Sequence, residues 1–335
     1  MGLQIGDLVA RKEVSLGELK GRVVAVDAFN ALFQFLSSIR QQDGTPLMDS
    51  VGRVTSHLSG LFYRNVALLA EGMKLIYVFD GEYHVLKGKT HEKRQQAKDN
   101  MAEKYEVAVS EGDIDGMGKY SRAFMRLTPE MLAESKELLV ALGIPVVQAP
   151  GEGEMQCAEL VKSGQAYAVA SQDYDALVVG GTRLIQNLTL ARKRKTASGF
   201  MYIAPEMIEY ERVLQELGID GDQLICLAIL VGTDFNPGGI KGIGPKKALA
   251  LVKQYRYPVQ LFGSLEGRME FDWQEIFSIF KKPNVSRERV VFPKLNEGKL
   301  QEILVGRHEF SIERIENQLA KLRTLRREKA QQTLF

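Results

Sequence analysis

Acidic residues stand in this sequence where apolar runs end. Asp27 follows Val23-Val24-Ala25-Val26, Asp80 follows Leu75-Ile76-Tyr77-Val78-Phe79, and Asp173 and Asp175 follow Ala166-Tyr167-Ala168-Val169-Ala170. Glu152 and Glu154 open a helical pattern behind Pro150-Gly151, and Asp234 adds a seventh acid at the end of another. One such acid commonly caps the helix that follows it. A group is different, because two unit charges about 4 Å apart repel by roughly 4 kcal/mol at an effective dielectric of about 20, and a helix terminus returns only about 0.3–1 kcal/mol. Gathered carboxylates must protonate, separate or bind cations. No Cys and His spacing accompanies them, so an oxygen-only ligand set points to a hard ion such as Mg²⁺ or Mn²⁺ rather than zinc.

The elements that must position these acids belong to an α/β fold. Short apolar runs bounded by turns and alternating with helical patterns read as buried parallel strands, whose ligands bind beyond their carboxyl ends. Residues 1–81 read as a strand over 23–27, a helix through Phe33 and Phe35, a turn at Asp43-Gly44, a helix over 54–70 and a strand over 74–80. Residues 82–127 are charge-rich and poor in apolar periodicity, with Lys87, Lys89, Lys93, Arg94, Lys98, Lys119, Arg122 and Arg126, and read as two solvated helices and a tip. Thr128-Pro129 starts a helix that Gly143 ends. A strand over 144–147, a helix over 152–163, a strand over 166–170, a polar loop, a helix over 205–217 and an apolar helix over 223–231 follow. Residues 256–300 carry no clear pattern.

Glu152 and Glu154 would diverge by about 200° on a regular helix. The Pro150-Gly151 turn lets Glu152 lie outside the helix and Glu154 in its first turn, so that both face one point. Asp173 and Asp175 can converge on one strand face or across a strand-to-helix turn. Further on, Gly238-Gly239-Ile240-Lys241-Gly242-Ile243-Gly244-Pro245-Lys246-Lys247 is neither a P-loop nor a dinucleotide fingerprint. A Gly-x-Gly hairpin feeding a helix that begins Pro-Lys-Lys aims amide N–H groups and two cations at one anion, which suits a duplex phosphate backbone.

The chain has 335 residues, 45% of them apolar and 26% charged, a soluble globular composition long enough for about two domains' worth of core. Neither an uncharged apolar run of about 18 residues nor a basic-then-apolar leader occurs, so neither a membrane span nor secretion is expected. Cys157 and Cys226 sit in apolar helical patterns and read as buried reduced thiols of a cytoplasmic protein. The net charge of +2 hides segregation: if seven acids share a cleft, the remaining surface is basic, as Arg192-Lys193-Arg194-Lys195 and residues 321–329 indicate. His57 lies in an apolar helical pattern and reads as a satisfied structural histidine.

Asp27-Ala28-Phe29-Asn30, Ser56-His57-Leu58-Ser59-Gly60, Val78-Phe79-Asp80-Gly81, Gln148-Ala149-Pro150-Gly151-Glu152-Gly153-Glu154, Ser171-Gln172-Asp173-Tyr174-Asp175 and Gly232-Thr233-Asp234 with Gly242-Ile243-Gly244 together resemble the flap endonucleases of the structure-specific 5′ nuclease superfamily. The likeness spans nearly the whole chain, and residues 40–53 resemble the archaeal branch. It implies a single nuclease domain over 1–330. Its parts are an N-terminal part (1–81), a helical arch (82–127), an internal part (128–234), a helix-hairpin-helix element gripping duplex (235–260) and a C-terminal helical part (261–330). A clamp-binding tail would start at 331–335.

The resemblance further implies a Mg²⁺-dependent enzyme with two ions per site, Mn²⁺ being a possible substitute, that cuts 5′ flaps at junctions with duplex DNA and leaves a 5′-phosphate and a 3′-hydroxyl. The associated roles are 5′–3′ exonuclease action, Okazaki fragment maturation and DNA repair. By this likeness Asp27, Asp80, Glu152 and Glu154 hold mainly the first ion and Asp173, Asp175 and Asp234 the second. Lys87 and Arg94 meet the scissile phosphate, and Phe33, Arg40, Thr55, Arg64, Lys93, Gly242, Gly244, Lys246 and Lys247 contact DNA. Phe33 stacks near the reacting nucleotide, and Thr55 belongs to a pocket for a one-nucleotide 3′ flap. Gln331, Leu334 and Phe335 would begin a sliding-clamp motif. A monomer in the cytoplasm at the nucleoid, or in the nucleus of a eukaryote, is expected. Two departures stand out: Glu82-Tyr83-His84 where the family usually has a proline pair, and Gly151 where it usually has Ser. A phosphatase with an Asp nucleophile fits poorly, because Asp27 is followed by Ala28-Phe29, and a silent junction-binding adaptor would not need seven acids.

Overall fold

The computed structural model describes residues 3–332 apart from 42–43, 83, 114–115, 117–118, 121–124, 190–192 and 197–198. Its centre is a seven-stranded sheet. In chain order the strands are β1 (Lys12–Glu13), β2 (Val23–Asp27), β3 (Lys74–Phe79), β4 (Val146–Gln148), β5 (Ala168–Ala170) and β6 (Arg183–Gln186), then a separate hairpin of β7 (Lys193–Thr196) and β8 (Gly199–Tyr202), and finally β9 (Glu206–Glu209). The spatial order is β1-β9-β6-β5-β2-β3-β4, with β6, β5, β2, β3 and β4 mutually parallel, β9 antiparallel to β6 at one edge and β1 antiparallel in turn to β9. The chain runs outward from β2 through β3 to β4 and then returns to the other side of β2 for β5. That reversal opens a crevice at the carboxyl ends of β2 and β5, where ligands of such sheets bind.

Alternation along the strands divides the core into two layers. Val24 and Val26 of β2, with Leu75, Tyr77 and Phe79 of β3, face a cluster built with α1 (Ala28–Ser38), α2 (Ser56–Ala70) and α4 (Pro129–Ala141). Ala25, Ile76 and Val78 face the opposite cluster, built with α5 (Gly153–Lys162), α6 (Asp175–Val178), α8 (Gly221–Val231) and α9 (Pro245–Gln254). Between β3 and α4 a 3₁₀ turn, Val85–Lys87, leads into the charged helix α3 (Gly88–Glu111).

Several helix starts are written in the local sequence. The Thr128 hydroxyl accepts from the Met131 N–H at 3.2 Å ahead of Pro129, and Asp220 and Gln223 close a capping box on α8. Other boundaries differ from those expected. The helix expected over 205–217 is strand β9 followed by α7 (Tyr210–Leu217), because residues 206–209 pair with β6. The run 166–170 contributes only Ala168–Ala170 as strand, and the strand expected over 144–147 is Val146–Gln148. The helix expected from residue 54 begins at Ser56, since Val54 bridges to Met48.

Residues 256–300, unreadable in sequence, form α10 (Pro258–Gly263), α11 (Trp273–Lys281), an extended strap and α12 (Glu297–Gln301). The strap is held by glutamine amides acting as surrogate strands. Gln156 exchanges two hydrogen bonds with the Ser286 backbone at 2.7 and 2.8 Å, and Gln165 bonds Glu288 O and Val290 N at 3.1 and 2.8 Å. A π-helical turn, Glu302–Arg307, and α13 (Ile312–Gln332) complete the chain. His57 is buried as expected but unsatisfied: neither ring nitrogen has a partner, and burial drives its pKa down to about 3. Both cysteines are buried and unpaired. Among the described residues no helix is long and apolar enough to cross a membrane.

Candidate active site

The ends of the parallel strands bring the expected acids to one crevice. Asp27 is the last residue of β2 and the N-cap of α1, with one carboxylate oxygen accepting from Asn30 N–H at 3.1 Å. Asp80 follows β3 and accepts from Gly153 N–H at 2.7 Å, at the start of α5. A Cβ at Gly153 would stand 2.6 Å from that oxygen, and one at Gly81 would stand 2.1 Å from Ala149 O. Glycine at both places lets the turns after β3 and β4 close on each other, reinforced by Gly81 N–H donating to Gly151 O at 2.7 Å.

Glu152 is the N-cap of α5 and Glu154 lies in its first turn, the off-helix placement that the Pro150-Gly151 turn suggested. Asp173 lies in the turn after β5 and Asp175 opens α6, so this pair meets across a strand-to-helix turn. Asp234 follows the end of α8.

Ser171, which sequence reasoning did not single out, ties the group together. Its Oγ stands 2.8 Å from Glu154 Oε1 and 3.3 Å from Asp27 Oδ2, and accepts from Asp173 N–H at 3.2 Å. The signal was available in Ser171-Gln172-Asp173, where a short hydroxyl precedes the acid by two residues.

The electrostatics describe one shared field. Burial, then the charges of Asp80 and Asp173, push the Asp27 carboxyl up to about 7. Burial, then Glu152 and Asp234 charge, raises Asp80 to about 6 against the opposing Gly153 N–H and Lys87. Asp175 rises to about 7 through burial and the charges of Asp234, Asp173 and Glu152. Glu154 lies well above its ordinary range through burial and the charges of Asp175, Asp173 and Asp27. Two oxygens within this field, Glu152 Oε1 and Asp175 Oδ1, are buried without any hydrogen-bond partner. An orphaned carboxylate oxygen in a field of its own sign suits a cation. Among the described residues no three His, Cys, Asp or Glu side chains are disposed to hold a metal ion as they stand; the acids share the crevice without closing on a point.

One cation already enters it. Lys87, only 8% exposed, places Nζ against the Glu152 carboxylate, 3.7 Å from Asp234 Oδ2 and 5.0 Å over the Phe235 ring. Burial alone would lower its pKa, but the charges of Glu152, Asp234 and Asp175 hold it raised.

The residues expected at DNA are spread around this crevice. Phe33 on α1 is 37% exposed, with Lys98 Nζ 4.9 Å over its ring. Arg40 bonds Gly44 O at 2.8 Å at the base of a loop. Thr55, ahead of α2, is 4% exposed. Arg64 is half-buried on α2, its pKa lowered by desolvation. Lys93 and Arg94 fall on α3, but their side chains lie outside the described residues. Gly242 has φ +82° and Gly244 is the N-cap of α9, whose first turn carries exposed Lys246 and Lys247. Helices α8 and α9 pack through Ala248, Val252, Ile240 and Ile243 around this turn. Gln331 falls on the last turn of α13, and Leu334 and Phe335 lie outside the described residues.

The XPG N-terminal domain matches residues 3–101, and the XPG I-region matches 143–234. Flap endonuclease 1 of Hyperthermus butylicus is 47% identical over 98% of this chain and 96% of its own length. Flap endonuclease 1 of Pyrococcus furiosus is 46% identical over 100% and 98%. Among solved structures, flap endonuclease-1 from Methanococcus jannaschii superposes with TM-score 0.78 at 38% identity, covering 98% of this chain and 100% of that one. The catalytic core of Rad2 in complex with DNA substrate shares the fold at TM-score 0.70 and 24% identity, over 95% and 97%. Acid crevice, sheet order and full-length likeness agree, and the chain belongs to the flap endonuclease family.

Proposed function

We propose that this protein cuts 5′ flaps at their junction with duplex DNA, hydrolysing the phosphodiester in a divalent-metal-dependent reaction that leaves a 5′-phosphate and a 3′-hydroxyl. The observation that carries this reading is the pair of partnerless buried oxygens, Glu152 Oε1 and Asp175 Oδ1, inside a crevice where acids raise one another's pKa. Two hard cations, Mg²⁺ by ligand chemistry, would be held by Asp27, Asp80, Glu152 and Glu154 on one side and by Asp173, Asp175 and Asp234 on the other. When bound they supply water activation and stabilisation of the leaving oxygen during in-line displacement.

The protein's own groups do the rest. Lys87 is preplaced in the crevice by Glu152 and Asp234 and, as a cation, offsets charge developing on the scissile phosphate; Arg94 serves the same end from α3. Ser171 tethers Asp27 and Glu154 to one hydroxyl, which limits how far these two acids can part. Phe33 offers an exposed ring to a base beside the cut. Gly242, Gly244, Lys246 and Lys247 grip the phosphates of duplex without reading sequence, so selectivity rests on junction shape. Arg40, Thr55, Arg64 and Lys93 contribute further contacts, and Gln331, Leu334 and Phe335 begin a peptide for a sliding clamp.

The test is Asp173→Ala, assayed on a labelled flap, a gap and a four-way junction in a Mg²⁺ titration. Junction binding within about twofold of wild type with cleavage lost about 10³-fold or more supports the reading. Equal loss of binding and cutting would count against it.

A further inference from the structure

Lys87 reaches the acid crevice from a very short piece of backbone, the turn Val85–Lys87, and His84 stands at the start of that turn. Where the resemblance calls for a proline pair, this chain has Glu82-Tyr83-His84. A proline would stiffen the chain through its ring. His84 does so through three contacts. Its carbonyl accepts the Lys87 N–H at 2.9 Å, closing the turn. Its Nδ1 accepts the Leu86 N–H at 3.3 Å. Its ring meets the Phe235 ring edge-on, with centroids 5.9 Å apart at 83°. Phe235 is the same ring over which Lys87 Nζ lies at 5.0 Å, and Phe280 of α11 packs against it at 5.5 Å and 88°. One aromatic side chain next to Asp234 therefore holds both the start of the turn and the ammonium group at its end.

We propose that His84 is a positioning residue: through the Leu86 N–H and the Phe235 ring it fixes the 3₁₀ turn that delivers Lys87 to the scissile phosphate. The proposal rests on the reading of Lys87 as a phosphate contact.

The experiment measures single-turnover cleavage of a 5′-flap DNA in Mg²⁺ together with the dissociation constant of the same DNA in Ca²⁺, using the full chain. Four variants are compared with wild type: His84→Ala, His84→Asn, Lys87→Ala and the double variant His84→Ala with Lys87→Ala. The Asn Oδ1 occupies the same place relative to the backbone as the His Nδ1 and preserves the acceptor. His84→Ala should slow cleavage about tenfold and leave the dissociation constant within about twofold. His84→Asn should recover most of that loss. In the Lys87→Ala background, His84→Ala should change the rate by less than about twofold, because residues that act through one another do not add.

A fully active His84→Ala, an Asn variant as slow as the Ala variant, or losses that multiply in the double variant would each overturn the assignment. If Lys87→Ala alone cleaves at the wild-type rate, the phosphate-contact reading itself fails, an outcome distinct from failure of His84.

Discussion

Replacing Asp175 by Asn should stabilise the metal-free protein while abolishing its cleavage. Asp175 is 7% exposed, its Oδ1 has no partner, and its pKa rises from 3.8 to about 7 through burial and its acidic neighbours. The sign follows from linkage. The folded state binds this proton more tightly than the unfolded chain, so the penalty is absent below about pH 4, grows as pH climbs toward 7 and is constant above. At about 1.36 kcal/mol per tenfold, the full rise corresponds to about 4 kcal/mol. Asp173 and Asp234 share the repulsion and relax when one charge is removed, so about half of that, about 2 kcal/mol, is recovered by one substitution.

For 335 residues, unfolding entropy of about 2.1 cal/mol/K per residue makes this an increase of about 3 °C in Tm. Differential scanning fluorimetry in EDTA should therefore show wild type and Asp175→Asn melting together at pH 4 and separating in favour of the variant by pH 8. Millimolar Mg²⁺ should narrow or reverse the gap, because only the wild type gains the full ligand set. A variant no more stable than wild type at pH 8 without metal, or a gap independent of pH, would refute the idea that these acids are held together against their own repulsion.

Other outcomes follow from the same geometry. Lys246→Ala combined with Lys247→Ala should weaken flap, gap and blunt duplex alike and lower the slope of log affinity against log salt by about 2, measured by fluorescence anisotropy; an unchanged slope removes the α9 turn from the duplex contact. Gly151→Ser should be tolerated with Tm within about 1 °C, since its Cβ would meet Asn284 O at 3.4 Å, an ordinary contact. Gly81→Ala, with a Cβ 2.1 Å from Ala149 O, should cost about 3 kcal/mol and displace Asp80, read as a lowered Tm with weaker Mg²⁺ stabilisation; a Gly81→Ala protein as stable as Gly151→Ser would show that the two turns are not closed on each other as described.

The parts of this molecule that sequence made legible are those where local chemistry decides the outcome. The runs at 24–26 and 75–79 are buried on both faces, and every residue in them is apolar. Thr128-Pro129 and Pro150-Gly151 state where their helices begin. What stayed hidden was decided by distant partners. Residues 206–209 lead straight into a helix and read as its first turn, yet β6 recruits them as an edge strand. The strap beyond α11 has no periodicity because two glutamines, rather than a sheet, hold it. The acids could be listed from sequence, and Ser171 two residues ahead of Asp173 gave a local signal, but its reach to Glu154 and Asp27 was set by distant partners and could not be read there. His57 shows the converse limit: burial was readable from its apolar neighbours, and the absence of any partner was not.

The strap sets an order of events during synthesis. Helix α5, which carries Glu154 in its first turn, presents Gln156 to residue 286, and the turn after it presents Gln165 to residues 288 and 290. Until some 290 residues have left the ribosome, those two amides have only water to bind and the face of α5 beneath them is uncovered. A nascent chain thus leaves this side of α5 open for most of its elongation, and the helix that carries Glu154 gains its full set of contacts only once residues 286–290 have emerged.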